Sequence, residues 1–303
     1  MMKALWLLRL ARPANVLMLG LIHYLLYAYV VQPVSLVVDM HACLTPDEWL
    51  WMSLACMLVA AGGNVLNDLC DQDTDVYNRP EKVIVGEHVS ERAAWMLYGA
   101  LTVLGIGLAL WGSVRLGRWQ LASVYVLSAG ALWFYSKAYK RMLIVGNLVV
   151  AFLAFMAVIL PSIIEQACTA FRPDAMPWTM FISGYAIFAF LTTLVREVIK
   201  DLEDAYGDGM TGCRTLPVVY GANVAKGVAV GITLLIMGLL WPVMNYPEGY
   251  DWYWYLMLAV QVPSVGLIWL IIKAQEPKDY NRASLLSKVI MLMGVLSMLV
   301  LSM

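Results

Sequence analysis

Residues 64–82 read NVLNDLCDQDTDVYNRPEK and follow the apolar run WLWMSLACMLVAAGG (49–63), which has the composition of a membrane span. Four carboxylates, Asp68, Asp71, Asp73 and Asp75, therefore stand where such a span ends. If the helix runs through, Asn64, Asn67, Asp71 and Asp75 share one face, Asp68 lies beside them, and Asp73 falls on the opposite face. A carboxylate at the centre of a membrane helix costs roughly 2.5–3.5 kcal/mol even on a lenient insertion scale. Several together require a watery cavity or a cation, so the stretch predicts a divalent-metal site at the mouth of a membrane-embedded cavity.

The chain around it has 303 residues, of which 62% are hydrophobic and 14% charged. A soluble domain carries roughly 25% charged residues. The fold class expected is all-α, a polytopic membrane protein forming one transmembrane domain over residues 1–303. Apolar runs of spanning length occur at about 14–33, 48–66, 93–112, 119–135, 143–163, 178–195, 222–243, 252–272 and 284–302, which gives nine transmembrane helices. The N-terminal MMKALWLLRLARPANV, broken by Arg9 and Arg12, reads as a short interfacial helix. The five cysteines and three histidines are scattered, which argues against a disulfide framework and an imidazole metal site.

All but Arg115, Arg118 and Arg172 of the 20 lysines and arginines fall on one set of alternating connections. Positive-inside bias puts that side, and the N-terminus, in the cytoplasm. On the other side Trp51, Trp178, Trp241, Trp252 and Trp254 near span ends suggest an interfacial aromatic belt. A second acidic segment, REVIKDLEDAYGD (196–208), follows the sixth run on the cytoplasmic side. As a helix it aligns Glu197, Asp201, Asp204 and Asp208. A solvated helix end laced with i,i+4 pairs explains one such segment alone; two on the same side favour a shared site.

The DQDTD run at 71–75 opens like an EF-hand, but Val76 and Lys82 stand where that loop needs Gly and Glu. What remains suits magnesium, held by few protein oxygens with phosphates completing its shell. Arg79, Lys82, Lys137, Lys140, Arg141, Lys200 and Arg214 are candidate phosphate partners, although positive-inside bias accounts for about half of such cations. No P-loop or GxGxxG occurs, so a diphosphate on an apolar chain fits better than a nucleotide. The D-G-x-x-A-R opening of CDP-alcohol phosphotransferases is also absent.

The pattern Asn67-Asp68-x-x-Asp71-x-x-x-Asp75, continued by Asn78-Arg79-Pro80 and Lys82, resembles the first signature of the UbiA superfamily of intramembrane prenyltransferases. The second acidic motif is similar to Asp204-x-x-x-Asp208, with Asp201 one turn earlier; Arg12-Pro13-x-Asn15 and Gly146-Asn147 also match. The resemblance implies nine helices in one bundle around a central cavity open laterally to lipid. It implies Mg2+ at Asn67, Asp68, Asp71, Asp75, Asp201, Asp204 and Asp208, with Asp71, Asp75, Asp204, Asp208, Lys140 and Tyr135 as catalytic residues. It further implies Asn67, Arg79, Lys82, Lys137, Arg141, Asn147, Lys200, Arg12 and Asn15 as substrate-binding residues. The family's YxxxK motif is departed from: Tyr135 and Lys140 are one residue further apart. Trp133 and Phe134 are candidates for stabilising an allylic cation, with bundle packing the favoured reading.

The partners implied are a polyprenyl diphosphate donor, membrane lipids, and a lipid or aromatic acceptor; a nucleic-acid partner is not expected. The second motif in its extended form, REVIKDLEDAYGDGMTGCRTLP (Arg196–Pro217), resembles the digeranylgeranylglyceryl phosphate synthase branch, whose acceptor is a prenylglycerol phosphate. The alternative within the family is an aromatic prenyltransferase acting on 4-hydroxybenzoate or a naphthoate. A cation-coupled transporter is the alternative of another class, although it predicts carboxylates near mid-membrane. The expected location is the cell (inner) membrane, with the acidic motifs on the cytoplasmic side.

Overall fold

The computed structural model describes residues 2–37, 44–78, 80, 83–168, 178–245 and 250–301, with backbone only at 2–4 and 36–37. An N-terminal helix, α1 (Met2–Leu10), leads into α2 (Pro13–Leu26), which passes through a π-turn at Tyr27–Val31 into α3 (Gln32–Val37). Then follow α4 (Pro46–Cys70), α5 (Gln72–Asn78), α6 (Glu91–Arg115), α7 (Ala122–Lys137) and α8 (Val145–Cys168). The chain continues with α9 (Trp178–Met210), α10 (Leu216–Tyr220), α11 (Ala222–Met244), α12 (Tyr250–Leu256), α13 (Val262–Lys273) and α14 (Pro277–Leu296). Proline opens α2, α4, α10, α13 and α14, where its missing N–H leaves no orphan. Thr45 and Glu48 form a reciprocal capping box at the start of α4. Among the described residues there are no strands, and a single bridge pairs Val85 with Val89.

Eight helices among the described residues are long and apolar enough to cross a membrane. The run at 119–135 differs from the expectation of a ninth span of that kind. It folds as a 3-10 turn, Trp119–Leu121, followed by the 16-residue α7. The α-helical part alone rises about 24 Å, against roughly 30 Å for a hydrocarbon core, and the 3-10 turn extends it. The tryptophan belt is also corrected. Trp51, Trp178 and Trp252 are buried in the main core cluster, and only Trp241 and Trp254 are exposed. The cause is internal packing: Trp252 Nε1 donates to the Val243 carbonyl (3.0 Å), and Trp51 meets Trp111 edge-on.

Two helices organise the packing. α4 lies against α2, α6 and α7, while α9 lies against α8, α11 and α14. Each of these hubs carries one of the acidic segments at its C-terminal end. The α2, α4 and α8 helices are pinned together by His23, which is fully buried. Its Nε2 lies 2.8 Å from the Ala157 carbonyl, which can only accept, so Nδ1 accepts from Ser53 Oγ at 2.9 Å. Trp49 Nε1 closes the knot on the His23 carbonyl at 2.9 Å. Replacing His23 with Leu removes two buried hydrogen bonds and should cost about 1–3 kcal/mol. Thermal unfolding in detergent checks this, and an unchanged midpoint would show the knot to be dispensable.

Candidate active site

The helix does not run through residues 64–78 as the spacing suggests. α4 ends at Cys70, and Asp71 leaves helical geometry as its C-cap (φ −96°, ψ 0°). The Asp71 N–H still closes the last turn on the Asn67 carbonyl (2.9 Å). Its own carbonyl accepts from the Thr74 and Asp75 N–H groups (3.0 and 2.8 Å) and so starts α5. The break turns Asp71 into a corner between two helices, with Asn67 Nδ2 donating to its Oδ2 at 2.6 Å. The Asn67 Oδ1 atom is buried and has no hydrogen-bond partner among the described residues.

The α5 helix lies against α9, and Asn78 makes the join. Its Oδ1 accepts from the Gly207 N–H at 2.9 Å, and a Cβ on residue 207 would sit 2.2 Å from that oxygen. Only glycine allows this approach, which brings the two acidic segments together. A small polar cavity of about 80 Å³ opens between them. Asp71 and Thr74 line it from one side, and Glu197, Lys200, Asp201, Asp204 and Asp208 from α9. Tyr135, Lys140, Gly146, Asn147, Cys213 and Thr215 complete the wall.

Lys140 enters from the 3-10 turn Tyr139–Arg141 and forms an ion pair with Asp71 Oδ1. The turn is held from two directions. Gly146 backs directly onto it, since a Cβ there would lie 2.7 Å from the Lys140 Cα. The Arg214 N–H donates to the Arg141 carbonyl at 2.9 Å. Burial pushes the Lys140 pKa down to about 8, which still leaves most of it charged at neutral pH. Next to Gly146, Asn147 Nδ2 donates to Asp201 Oδ2 at 2.8 Å. Thr215 Oγ1 donates to Asp208 Oδ2 at 3.2 Å.

Several sequence-predicted residues lie elsewhere. Asp68 does not line the cavity; Arg12, in left-handed geometry at the start of α2, pairs with it at 2.5 Å. Asn15 is exposed on α2, and Asp75 is half-buried on α5 outside the cavity wall. Lys137 packs over the Trp95 and Trp133 rings, 5.4 and 5.7 Å from their centroids, and Arg141 is exposed. Trp133 and Phe134 are exposed and form ring contacts with Trp95, Tyr98 and Tyr139 rather than facing the carboxylates. Arg79 and Lys82 lie outside the described residues. Asp73 is exposed and does not line the cavity. Thr74, Cys213 and Thr215 line the cavity without having been singled out; Thr74 is offset by three from Asp71, and Cys213 and Thr215 lie within the extended second motif, 196–217.

Among the described residues no three His, Cys, Asp or Glu side chains form a ready-made metal cluster. The donor set nevertheless fits a hard divalent cation: carboxylates from two segments border one cavity, and an orphaned amide oxygen stands beside them. A second cavity, of about 390 Å³, lies toward the other end of α9 and is lined mainly by apolar residues such as Phe181, Phe188, Leu240 and Leu256. It contains none of the singled-out carboxylates, so the chemistry belongs to the smaller one. Gly146→Val should displace the Lys140 turn and lower turnover on the order of 10²-fold. Turnover at the wild-type rate in a folded Gly146→Val protein would show that the placement of Lys140 is unimportant.

Residues 24–293 match the model of the UbiA prenyltransferase family. Digeranylgeranylglyceryl phosphate synthase of Methanopyrus kandleri is 33% identical over 242 residues, covering 80% of this chain and 83% of that protein. The enzyme of the same name from Thermococcus gammatolerans is 30% identical over 254 residues, covering 83% of each. In fold, the chain is similar to a solved structure of digeranylgeranylglyceryl phosphate synthase, with a TM-score of 0.65 at 22% identity over 99% of this chain and 98% of that one. A UbiA homolog from Archaeoglobus fulgidus bound to GPP and Mg2+ superposes with a TM-score of 0.57 at 15% identity, covering 97% of this chain and 99% of that one. With the family model spanning most of its length, the chain belongs to the UbiA prenyltransferase family and is a prenyltransferase.

Proposed function

We propose that this enzyme transfers an isoprenyl group from a polyprenyl diphosphate to the free hydroxyl of a prenylglycerol phosphate, the reaction for which its relatives of 30–33% identity are named. The observation that carries the site assignment is the convergence of Asp71 with Asp201, Asp204 and Asp208 on one cavity. In this reading the helices, α7 included, form a nine-helix bundle and a single domain around a central cavity. The acidic segments open to the cytoplasmic side of the cell membrane, which the distribution of Lys and Arg supports.

Asp71, Asp201, Asp204 and Asp208, with Asn67 Oδ1 beside Asp71, would hold Mg2+. The metal, when bound, offsets the negative charge that develops on the departing diphosphate. Lys140 and Lys200 supply two further positive charges to the same cavity wall, where Lys140 orients the diphosphate. Asn147 fixes the rotamer of Asp201, and Thr215 that of Asp208, so these carboxylates need little reorganisation when substrate binds. In the reaction the C1–O bond to the diphosphate breaks, a bond forms from C1 to the acceptor hydroxyl oxygen, and the hydroxyl proton leaves through the polar cavity. The apolar bundle beyond keeps water from capturing the electron-poor carbon.

Purified protein assayed with labelled geranylgeranyl diphosphate and a panel of acceptors tests the reading. The expected result is product with the prenylglycerol phosphate, lost on chelation with EDTA and restored by Mg2+. Product with 4-hydroxybenzoate or a naphthoate, and none with the prenylglycerol phosphate, would replace this acceptor by an aromatic one. Asp71→Ala and Asp204→Ala should each lower turnover by on the order of 10³-fold or more with the fold intact. Full activity in either variant would remove that residue from the site.

A further inference from the structure

One turn along α9 from Asp201, toward its N-terminus, a second charged cluster has a different balance. Glu197 is buried and accepts from Arg196 Nη1 at 3.0 Å. Around it, Arg12, Arg196, Lys200 and Lys288 lie within Coulombic reach of Glu197, and Lys288 is within reach of the other three cations. Arg12 is already engaged by Asp68. Among the described residues Lys200 and Lys288 make no hydrogen bond or close ion pair, and Arg196 Nε is buried without a partner. Glu203 also faces Lys288, but it accepts from Asn281 Nδ2 at 2.9 Å. Lys200 is shared with the carboxylate cavity.

Lys288 is the unexpected member. It is exposed on α14, about one turn inside the apolar run that begins near residue 284. The α14 helix packs on α9 and touches α2, so Lys288 joins the two arginines where the three helices meet. Three like charges gathered around one buried carboxylate repel one another. Arg196, Lys200 and Lys288 outnumber Glu197, the carboxylate buried among them; Glu203 and Asp201 stand at the edge of the cluster, within reach of Lys288 and Lys200 respectively. A phosphomonoester carries about −1.5 to −2 near neutral pH.

We propose that Arg196 and Lys288, with Lys200 shared at the edge of the carboxylate cavity, bind the phosphate of the acceptor beside the carboxylates that serve the donor diphosphate. The inference rests on the prenylglycerol phosphate reading and deepens it. It assigns substrate specificity to a junction of α14 with the first turns of the second acidic segment on α9. Glu197 acts there as a positioning residue, holding Arg196 toward the junction. A phosphate at this cluster puts the glycerol hydroxyl, only two carbons away along the backbone, next to the cavity lined by Asp201 and Asp204. An aromatic acid would engage the same cations far less fully, since it brings a single negative charge.

The test uses the full-length enzyme in detergent with Lys288→Gln, Arg196→Gln and the conservative Lys288→Arg. Two quantities are read: KM for acceptor and for donor separately, and equilibrium binding of the prenylglycerol phosphate with neither donor nor metal present. Lys288→Gln and Arg196→Gln should each raise acceptor KM and Kd about tenfold with donor KM unchanged, and Lys288→Arg should restore most of the loss. An unchanged acceptor Kd, as expected of a lysine that merely snorkels to the interface, overturns the proposal. So does a rise confined to donor KM, which would give the cluster to the diphosphate. Failure of the wild-type enzyme to use any prenylglycerol phosphate would overturn the functional reading first, and this inference with it.

Discussion

Carboxylates repel, and this protein gathers Asp71, Asp201, Asp204 and Asp208 around one cavity of about 80 Å³. Two unit charges 4 Å apart interact by about 4 kcal/mol at the effective dielectric near a protein surface. The fold must therefore supply compensation before any substrate arrives. Lys140 provides part of it by pairing with Asp71, and the amides of Asn67 and Asn147 each donate to one carboxylate. These contacts come from elements distant in sequence. The site is consequently a property of the assembled bundle and not of either acidic segment.

The mechanical devices that hold this arrangement are close approaches of backbone. Gly207 admits Asn78, and so the corner at Asp71 is docked onto α9. Gly146 admits the turn bearing Lys140, and the Arg214–Arg141 backbone hydrogen bond ties that turn to the loop after α9. Ile144, β-branched and at φ 60°, sits in the same connection. Such a residue in left-handed geometry stores strain of about 1–3 kcal/mol, which the surrounding packing must overcome. Strain beside Lys140 is consistent with a segment shaped for its charge more than for stability.

Helical spacing made much of this legible. The 3.6-residue period put Asp201, Asp204 and Asp208 on one face of α9, and they line one cavity. The same argument failed over residues 64–78, because Asp71 takes hydrogen bonds that end one helix and begin another. Asp68 looked equivalent to Asp71 by motif, yet Arg12, 56 positions earlier, claims it. No periodicity reveals a partner at that distance. Trp51, Trp178 and Trp252 were assigned to the interface by composition, but tertiary packing buries them. Lys288 was one more positive-inside lysine until α14 was placed against α9.

The central claim is that the two acidic segments act on one ligand as a unit. Mn2+ binding, followed by electron paramagnetic resonance in the presence of a non-reacting prenyl diphosphate analogue, tests it in wild type, Asp71→Asn, Asp204→Asn and the double variant. Coupled residues give non-additive losses. The account predicts that either single substitution abolishes analogue-dependent Mn2+ binding and that the double variant is no worse. Independent, additive losses, or a single variant that binds as the wild type does, would contradict it.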